Sequence, residues 1–203
     1  MFIEKPSCKN SLSSRKLVFG VGVNDSWYTT KYKDDGAWVR CPFYKVWYHM
    51  LQRCYDEKFH EKNPTYATCS VDVEWHLFSE FRSWMVEQNW QGNQLDKDLL
   101  VQGNKVYSKV SCVFISRELN GGLITSSSRG GRLKLGVKAV KGSSKYEAAC
   151  CTGGKQVHIG TYSTEGGAHE AYKKFKMSVL IGYAKGMSQK IREAVLRIEI
   201  PEY

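Results

Sequence analysis

The period of the apolar residues changes repeatedly along the chain, and each change marks an expected element. Met1 to Ser14 is polar, with Pro6, Ser11, Ser13 and Ser14, and reads as a tail. Lys16 to Lys33 alternates loosely through Leu17, Phe19, Val21, Val23, Trp27, Tyr28 and Tyr32, which predicts a hairpin turning at Asn24-Asp25. From Pro42 the spacing becomes helical. Val46, Trp47, Met50, Leu51 and Cys54 share one face, Lys45, His49 and Gln52 the other, and Pro42 suits a first helical turn. Asp56 to Ser70 is polar around Asn63-Pro64 and reads as a connecting loop. A second helical stripe follows at Val73, Leu77, Phe78, Phe81, Trp84 and Met85, ending near Asn89.

Leu95 to Val101 predicts a strand, Gly103-Asn104 a turn, and Cys112 to Ile115 a second apolar run, with Glu118 and Asn120 on a short helix. The Gly/Ser-rich stretch over 121–132 has little to bury and reads as a linker. It separates a first domain over 16–120, preceded by a tail over 1–15, from a second over 133–203. Three alternating segments open the second domain: Leu133 to Val140, Lys145 to Cys151 and Gln156 to Tyr162. Turns at Lys141-Gly142-Ser143-Ser144 and Thr152-Gly153-Gly154 make them a meander. Ser163-Thr164-Glu165 offers a helix cap, Ala168, Ala171, Tyr172, Phe175 and Leu180 an inward stripe, and Ile191, Val195 and Leu196 the core of a last helix within Lys185 to Ile200. The class is α+β: a first domain of helices and short strands, then a three-stranded antiparallel sheet on one helix.

Charge sharpens this division. Of the net +10, positions 121–203 hold fourteen Lys/Arg against six Asp/Glu, an excess of +8. A polyanionic partner is therefore expected first in the second domain. The seven cysteines are odd in number and include no Cys-x-x-Cys pair, and no signal peptide is read ahead of them, which points to a reduced, cytoplasmic compartment. No apolar run approaches the roughly 20 residues that span a bilayer, so a soluble protein is expected.

A three-stranded sheet backed by one helix leaves one face bare. The strand pattern puts Lys134, Lys138, Lys145, Lys155 and His158 in reach of that face, where they are either solvated positions or phosphate and base contacts in a major groove. The run from Leu135 to Phe175 resembles the Apetala/ethylene-response-factor DNA-binding domain. The shared features are Gly136-Val137-Lys138, Lys145-Tyr146-Glu147-Ala148, Gly160-Thr161-Tyr162-Ser163-Thr164 and Ala168-x-x-Ala171-Tyr172. The resemblance implies a sheet docked in the major groove of double-stranded DNA, with Lys138, Lys141, Lys145, Lys155 and His158 as contacts. The chain departs from the family at Val140, Cys150 and His158, where Arg or Trp is frequent, so phosphate affinity is expected with blurred sequence preference.

A phosphodiester nuclease needs a divalent metal to neutralise charge on the scissile phosphate and a base to activate water. Leu95-Asp96-Lys97-Asp98, Asn104 and Asn120 resemble the site of HNH-type homing endonucleases. The order Trp47-x-x-Met50-Leu51-x-Arg53-Cys54-Tyr55, Pro64-x-Tyr66 and Trp75-x-x-Phe78-x-x-Phe81 resembles phage-encoded HNH-like proteins that end in an Apetala-type domain. The likeness implies a small ββα-metal module with flanking helices, holding Mg²⁺ or Mn²⁺ on Asp96, Asp98 and Asn120, with Asn104 bracing the turn. It also implies a bacteriophage origin, with the host cytoplasm as the compartment. Lys97 stands where the family has its general-base His. An ammonium cannot accept a proton, so the base comes from elsewhere, for example His49, His60 or His76, with Lys97 contacting the phosphate in an active enzyme, or the site is a nuclease remnant.

Structural zinc on Cys54, His60, Cys69 and His76, with Cys112 as a substitute, is disfavoured because the ligands are not in tight pairs. Two further classes stand beside the endonuclease. One is a catalytically degenerate DNA-binding regulator. The other is a phage effector binding a host or viral protein through Tyr28, Tyr32, Trp38, Tyr44 and Tyr48.

Overall fold

The structure, a computed structural model, describes residues 2–123 and 133–202. It divides into two compact units, Met1–Gln91 with Leu95–Phe114, and Gly92–Gln94 with Ile115–Tyr203. Helices and short strands alternate in the first, and a three-stranded antiparallel sheet organises the second. Among the described residues no helix is long and apolar enough to cross a membrane.

In the first unit the segment read as a tail is held. It carries the short helix α1 (Lys9–Ser13), Ser7 N–H donates to the Trp27 carbonyl at 3.0 Å, and Thr29 N–H donates to the Lys5 carbonyl at 2.9 Å. Val18 and Gly22 bridge each other in a tight turn, and Arg15 explains why no hairpin turns at Asn24-Asp25. Its guanidinium donates to the carbonyls of Asn24 at 2.8 Å and Tyr28 at 3.0 Å and also to that of Ser26, so the chain wraps around a cation. The hairpin expected within 16–33 forms later, as β1 (Lys31–Asp34) and β2 (Ala37–Arg40). Its turn is Asp35-Gly36, with φ of +45° and +78°, the left-handed pair that suits the twist of a two-residue hairpin.

Helix α2 (Pro42–Tyr55) begins at the proline and buries Trp47, Met50, Leu51 and Cys54. The supposed loop after it contains regular structure. The Asp56 carboxylate accepts the Lys58 N–H and starts α3 (Glu57–Lys62), a 3-10 turn covers Pro64–Tyr66, and β3 spans Ser70–Val71. The single helix expected from Val73 is broken at Leu77, which is extended (φ −82°, ψ 127°) between a 3-10 turn at Val73–His76 and α4 (Phe78–Val86). Val23 makes the break, its N–H donating to the His76 carbonyl at 2.8 Å and its carbonyl accepting the Phe78 N–H at 3.0 Å. Val73, placed inward by periodicity, is 75% exposed as a result. The core gathers Trp47, Trp75, Phe78, Phe81 and Met85, with the Trp47 indole N–H donating to the Trp75 carbonyl at 2.7 Å. Short strands β4 (Gln94–Asp96), β5 (Val106–Tyr107) and β6 (Val113–Ile115) follow. β5 pairs with β3 in parallel, and β4 pairs with β6. The strand expected to run to Val101 stops at Asp96.

In the second unit α5 (Arg117–Leu123) includes Gly121 and Gly122, which the sequence assigned to the linker. The rest of that linker, 124–132, lies outside the described residues. The meander is β7 (Val137–Ala139), β8 (Tyr146–Thr152) and β9 (Lys155–Tyr162), antiparallel in the order β7-β8-β9. Gly153 and Gly154, both at positive φ, turn β8 into β9. Helix α6 (Glu165–Ala184) starts at Thr164, whose hydroxyl accepts the Gly167 N–H at 3.1 Å. It lays Ala168 and Tyr172 on Val137, Ala148 and Cys150. Helix α7 (Gln189–Leu196) buries Ile191, Ala194 and Val195, while Leu196 is exposed.

Strand β7 is shorter than the pattern predicts because Gly136, at φ +77°, lies against Tyr172. A Cβ there would stand 2.1 Å from the ring. Gly136→Ala is therefore expected to lower stability by about 2 kcal/mol or more, from strain and overpacking together. Urea unfolding checks this; an unchanged midpoint would show that the helix does not press on the sheet at this glycine.

Candidate functional site

Asp96 ends β4 by turning its own side chain back on the chain. Its Oδ1 accepts the N–H of Asp98 at 3.0 Å and that of Leu99 at 2.7 Å, an Asx turn that competes successfully with strand pairing. Asn104 closes the same loop from the other end. Its Nδ2 donates to the carbonyls of Lys97 at 2.8 Å and Val106 at 2.7 Å, while its Oδ1 accepts the Val106 N–H at 3.2 Å. Lys97 lies inside, only 6% exposed. Its ammonium donates to Asp98 Oδ1 at 2.5 Å and to the Asn104 carbonyl at 2.8 Å, and lies 5.9 Å from the centre of the Tyr107 ring. Asp96, Lys97, Asp98 and Asn104 thus form one hydrogen-bonded loop. A phosphate contact requires a free ammonium, whereas that of Lys97 is taken up in holding this loop. Asn120, read as the closing ligand, belongs to the second unit, where its Nδ2 donates to Gln94 Oε1 at 2.7 Å.

The histidines considered as bases have local partners. His49 Nδ1 is 3.2 Å from Gln52 Oε1, His60 Nε2 is 2.8 Å from the Arg53 carbonyl, and His76 Nε2 is 3.3 Å from the Tyr55 hydroxyl. Cys54, Cys69 and Cys112 are free and buried, and burial pushes the Cys54 and Cys112 thiols up to about 12. Among the described residues no group of three or more His, Cys, Asp or Glu side chains is placed to hold a metal ion.

Strand register decides which of the predicted basic residues face outward in the second unit. Val137, Ala148 and Gly160 are neighbours across the sheet on the α6 side, so the next row, Lys138, Glu147 and Thr161, faces away from the helix. Beyond a register shift at Ala148/Ala149, His158 joins that outer face opposite Ala149. Lys145, two residues before Glu147, has the same parity, as does the exposed Cys151. Lys141 is exposed in the β7–β8 turn. Lys155 pairs with Thr152, on the parity of the helix side, at the far end of the sheet. Lys134 precedes β7 and is drawn to Glu202, 2.9 Å from its ammonium. His158 Nδ1 lies 3.0 Å from Glu147 Oε1, so a carboxylate sits within the basic face.

Periodicity gave no sign of two other polar features. Arg53 projects from α2 and donates to the Tyr107 hydroxyl at 2.9 Å, which long-range folding alone brings together. The cations of β1 and β2 come together because the hairpin lies later than the alternation over 16–33 predicts; its signal in the sequence is the Asp35-Gly36 turn between Tyr32 and Val39. Comparisons with family models, curated proteins and solved structures return no match.

Burial raises the Asp96 carboxyl above its ordinary value of 3.8, against the opposing pull of the Leu99 and Asp98 N–H groups. A carboxyl raised in the folded state holds its proton more tightly there than in the unfolded chain. Stability therefore falls as pH rises through the interval above the ordinary value. Asp96→Asn keeps the Oδ1 acceptor and removes the charge. The variant is expected to be more stable than wild type at neutral pH, with the gain vanishing below about pH 4. Urea midpoints across that range test it, and a variant less stable at neutral pH would reverse the sign.

Proposed function

We propose that the chain is a duplex-DNA-binding protein whose second unit seats the outer face of its three-stranded sheet in the major groove. The observation that carries this reading is the row of exposed Lys138, Lys145 and His158 on one side of a sheet whose other side is covered by α6. Three strands about 4.8 Å apart make a ribbon roughly 10 Å wide, matched to a major groove of about 12 Å. Lys138 and Lys145 are suited to phosphate or guanine contacts, with Lys141 reaching the flanking backbone from its turn. Lys155 serves from the β8–β9 tip, and Lys134 contributes once released from Glu202. Glu147 is a carboxylate acceptor of the type that takes a cytosine amino group, with His158 beside it.

The second reading, an HNH-type endonuclease of phage origin, is favoured by one observation: Asp96 bears a carboxylate that burial disfavours and that a divalent cation would compensate. Mg²⁺ or Mn²⁺, if held by Asp96 and Asp98 of the first unit, would supply charge neutralisation at the scissile phosphate. The fit is partial. Asp96 Oδ1 already accepts two N–H groups, and Asp98 is engaged by Lys97. Lys97 holds the loop and cannot act as base, which leaves a catalytically degenerate regulator as the form of this reading closest to the residues present. A protein-binding effector would have Trp38 alone of the five expected aromatics exposed, since Tyr28 is buried in the core and Tyr32, Tyr44 and Tyr48 are half-buried.

Two measurements separate these readings. Lys138→Ala with Lys145→Ala is expected to weaken duplex binding at least tenfold and to reduce the slope of log K against log salt by about two. Unchanged affinity and slope would remove the sheet from the interface. Supercoiled plasmid with Mg²⁺ or Mn²⁺ is expected to be nicked by an active enzyme and left intact by Asp96→Ala. Plasmid left intact by wild type, with the gel shift retained, identifies the regulator.

A further inference from the structure

The hairpin β1–β2 carries a pattern that folding alone disfavours. Lys31 and Arg40 are direct cross-strand partners, so two like charges stand side by side, which weakens a strand pair. The next pair on that face is Lys33 with Trp38, and Trp38 is 54% exposed. Ammonium groups approach its ring from both lysines, at 4.9 Å for Lys31 and 5.5 Å for Lys33.

Beside this face lies a cleft of about 600 Å³ within the first unit. Its walls include Arg15, Lys31, Arg40, Lys45 and His49, and no aspartate or glutamate. Among the described residues none of these five groups is ion-paired with a carboxylate. Arg15 donates to neutral carbonyls and to the Ser7 hydroxyl, so its charge stays uncompensated beneath the cleft. A positive concavity inside a low-dielectric wall concentrates anions.

We propose that the Trp38 face and this cleft form a binding site for single-stranded nucleic acid. Trp38 is the stacking platform for an unpaired base, and Lys31, Arg40 and Lys45 take the phosphates on either side. As a base stacks, the lysines exchange their contact with the ring for the flanking phosphates. The combination of an exposed aromatic ring and a cationic groove whose walls carry no carboxylate fits a strand whose bases are free to stack. A duplex keeps its bases stacked on each other and gives Trp38 no partner. The inference stands apart from the DNA-binding sheet of the second unit.

The test is fluorescence anisotropy of the full chain with a labelled oligothymidylate of about 12 nucleotides. Trp38→Ala is expected to weaken binding about tenfold, and Trp38→Phe to restore most of it. Arg40→Glu with Lys45→Glu is expected to lose binding about a hundredfold and to flatten its salt dependence. Lys138→Ala with Lys145→Ala should leave single-strand affinity unchanged while duplex affinity falls. All these positions are exposed, so unfolding midpoints should match wild type, and Trp38→Phe preserves the ring if Trp38→Ala does not fold. The proposal is overturned if the oligothymidylate does not bind, if the Trp38 and Arg40/Lys45 variants bind it as wild type does, or if Trp38→Ala weakens a blunt duplex equally. The second result would place the interaction elsewhere, the third would make this face a duplex site rather than a single-strand site, and the first would leave the face to a protein partner.

Discussion

The Trp47 indole is fully buried, and its N–H is tolerated there because the Trp75 carbonyl accepts it at 2.7 Å. That bond ties α2 to the short turn before α4. Trp75 then meets Phe81 edge-on at 5.1 Å and Trp84 at 4.5 Å, which fixes α4 against the same core. Gly22 passes so close that a Cβ would lie 2.9 Å from the Trp47 ring, so the N-terminal segment is set by the same indole. From this point the chain has little freedom. Val23 must enter between His76 and Phe78, the helix must break at Leu77, and the segment from Asn24 to Tyr28 wraps around Arg15.

The parts of the fold legible in the sequence are those that local chemistry determines. Pro42 starts α2, Thr164 caps α6, and the Gly153-Gly154 turn registers β8 with β9, each within a few residues of its cause. The parts that were not legible depend on distant residues. Leu77 breaks a helical stripe because Val23 pairs beside it, β3 forms because β5 lies next to it, and Arg15 draws a would-be hairpin into a loop. Gly121 and Gly122 read as linker by composition, yet continue α5.

The candidate site divides the same way. The Asp96 turn and the Asn104 amide bonds join neighbours in sequence, and their residue types announce a tight loop. The orientation of Lys97 could not be read from spacing. The Asp98 carboxylate, the Asn104 carbonyl and the Tyr107 ring make an inward ammonium favourable. Net charge misled in a similar manner. An excess of only two positive charges over residues 1–120 points to no anionic partner there, but acids and bases are not evenly mixed. Lys31, Arg40 and Lys45 gather where the surface is concave, while Asp25, Glu74 and Glu80 are engaged with Ser79 and Lys109.

The burial of the cysteines has a practical corollary. With Cys41, Cys54, Cys69, Cys112 and Cys150 enclosed, only Cys8 and Cys151 present a thiol to solvent, one in each unit. Thiolate is the reactive form, and burial suppresses it at Cys54, Cys112 and Cys150. Because Cys151 shares the outward parity of Lys145 and Glu147, a fluorophore attached there would sit on the sheet face itself. The chain thus contains a native labelling position from which occupancy of that face can be followed directly.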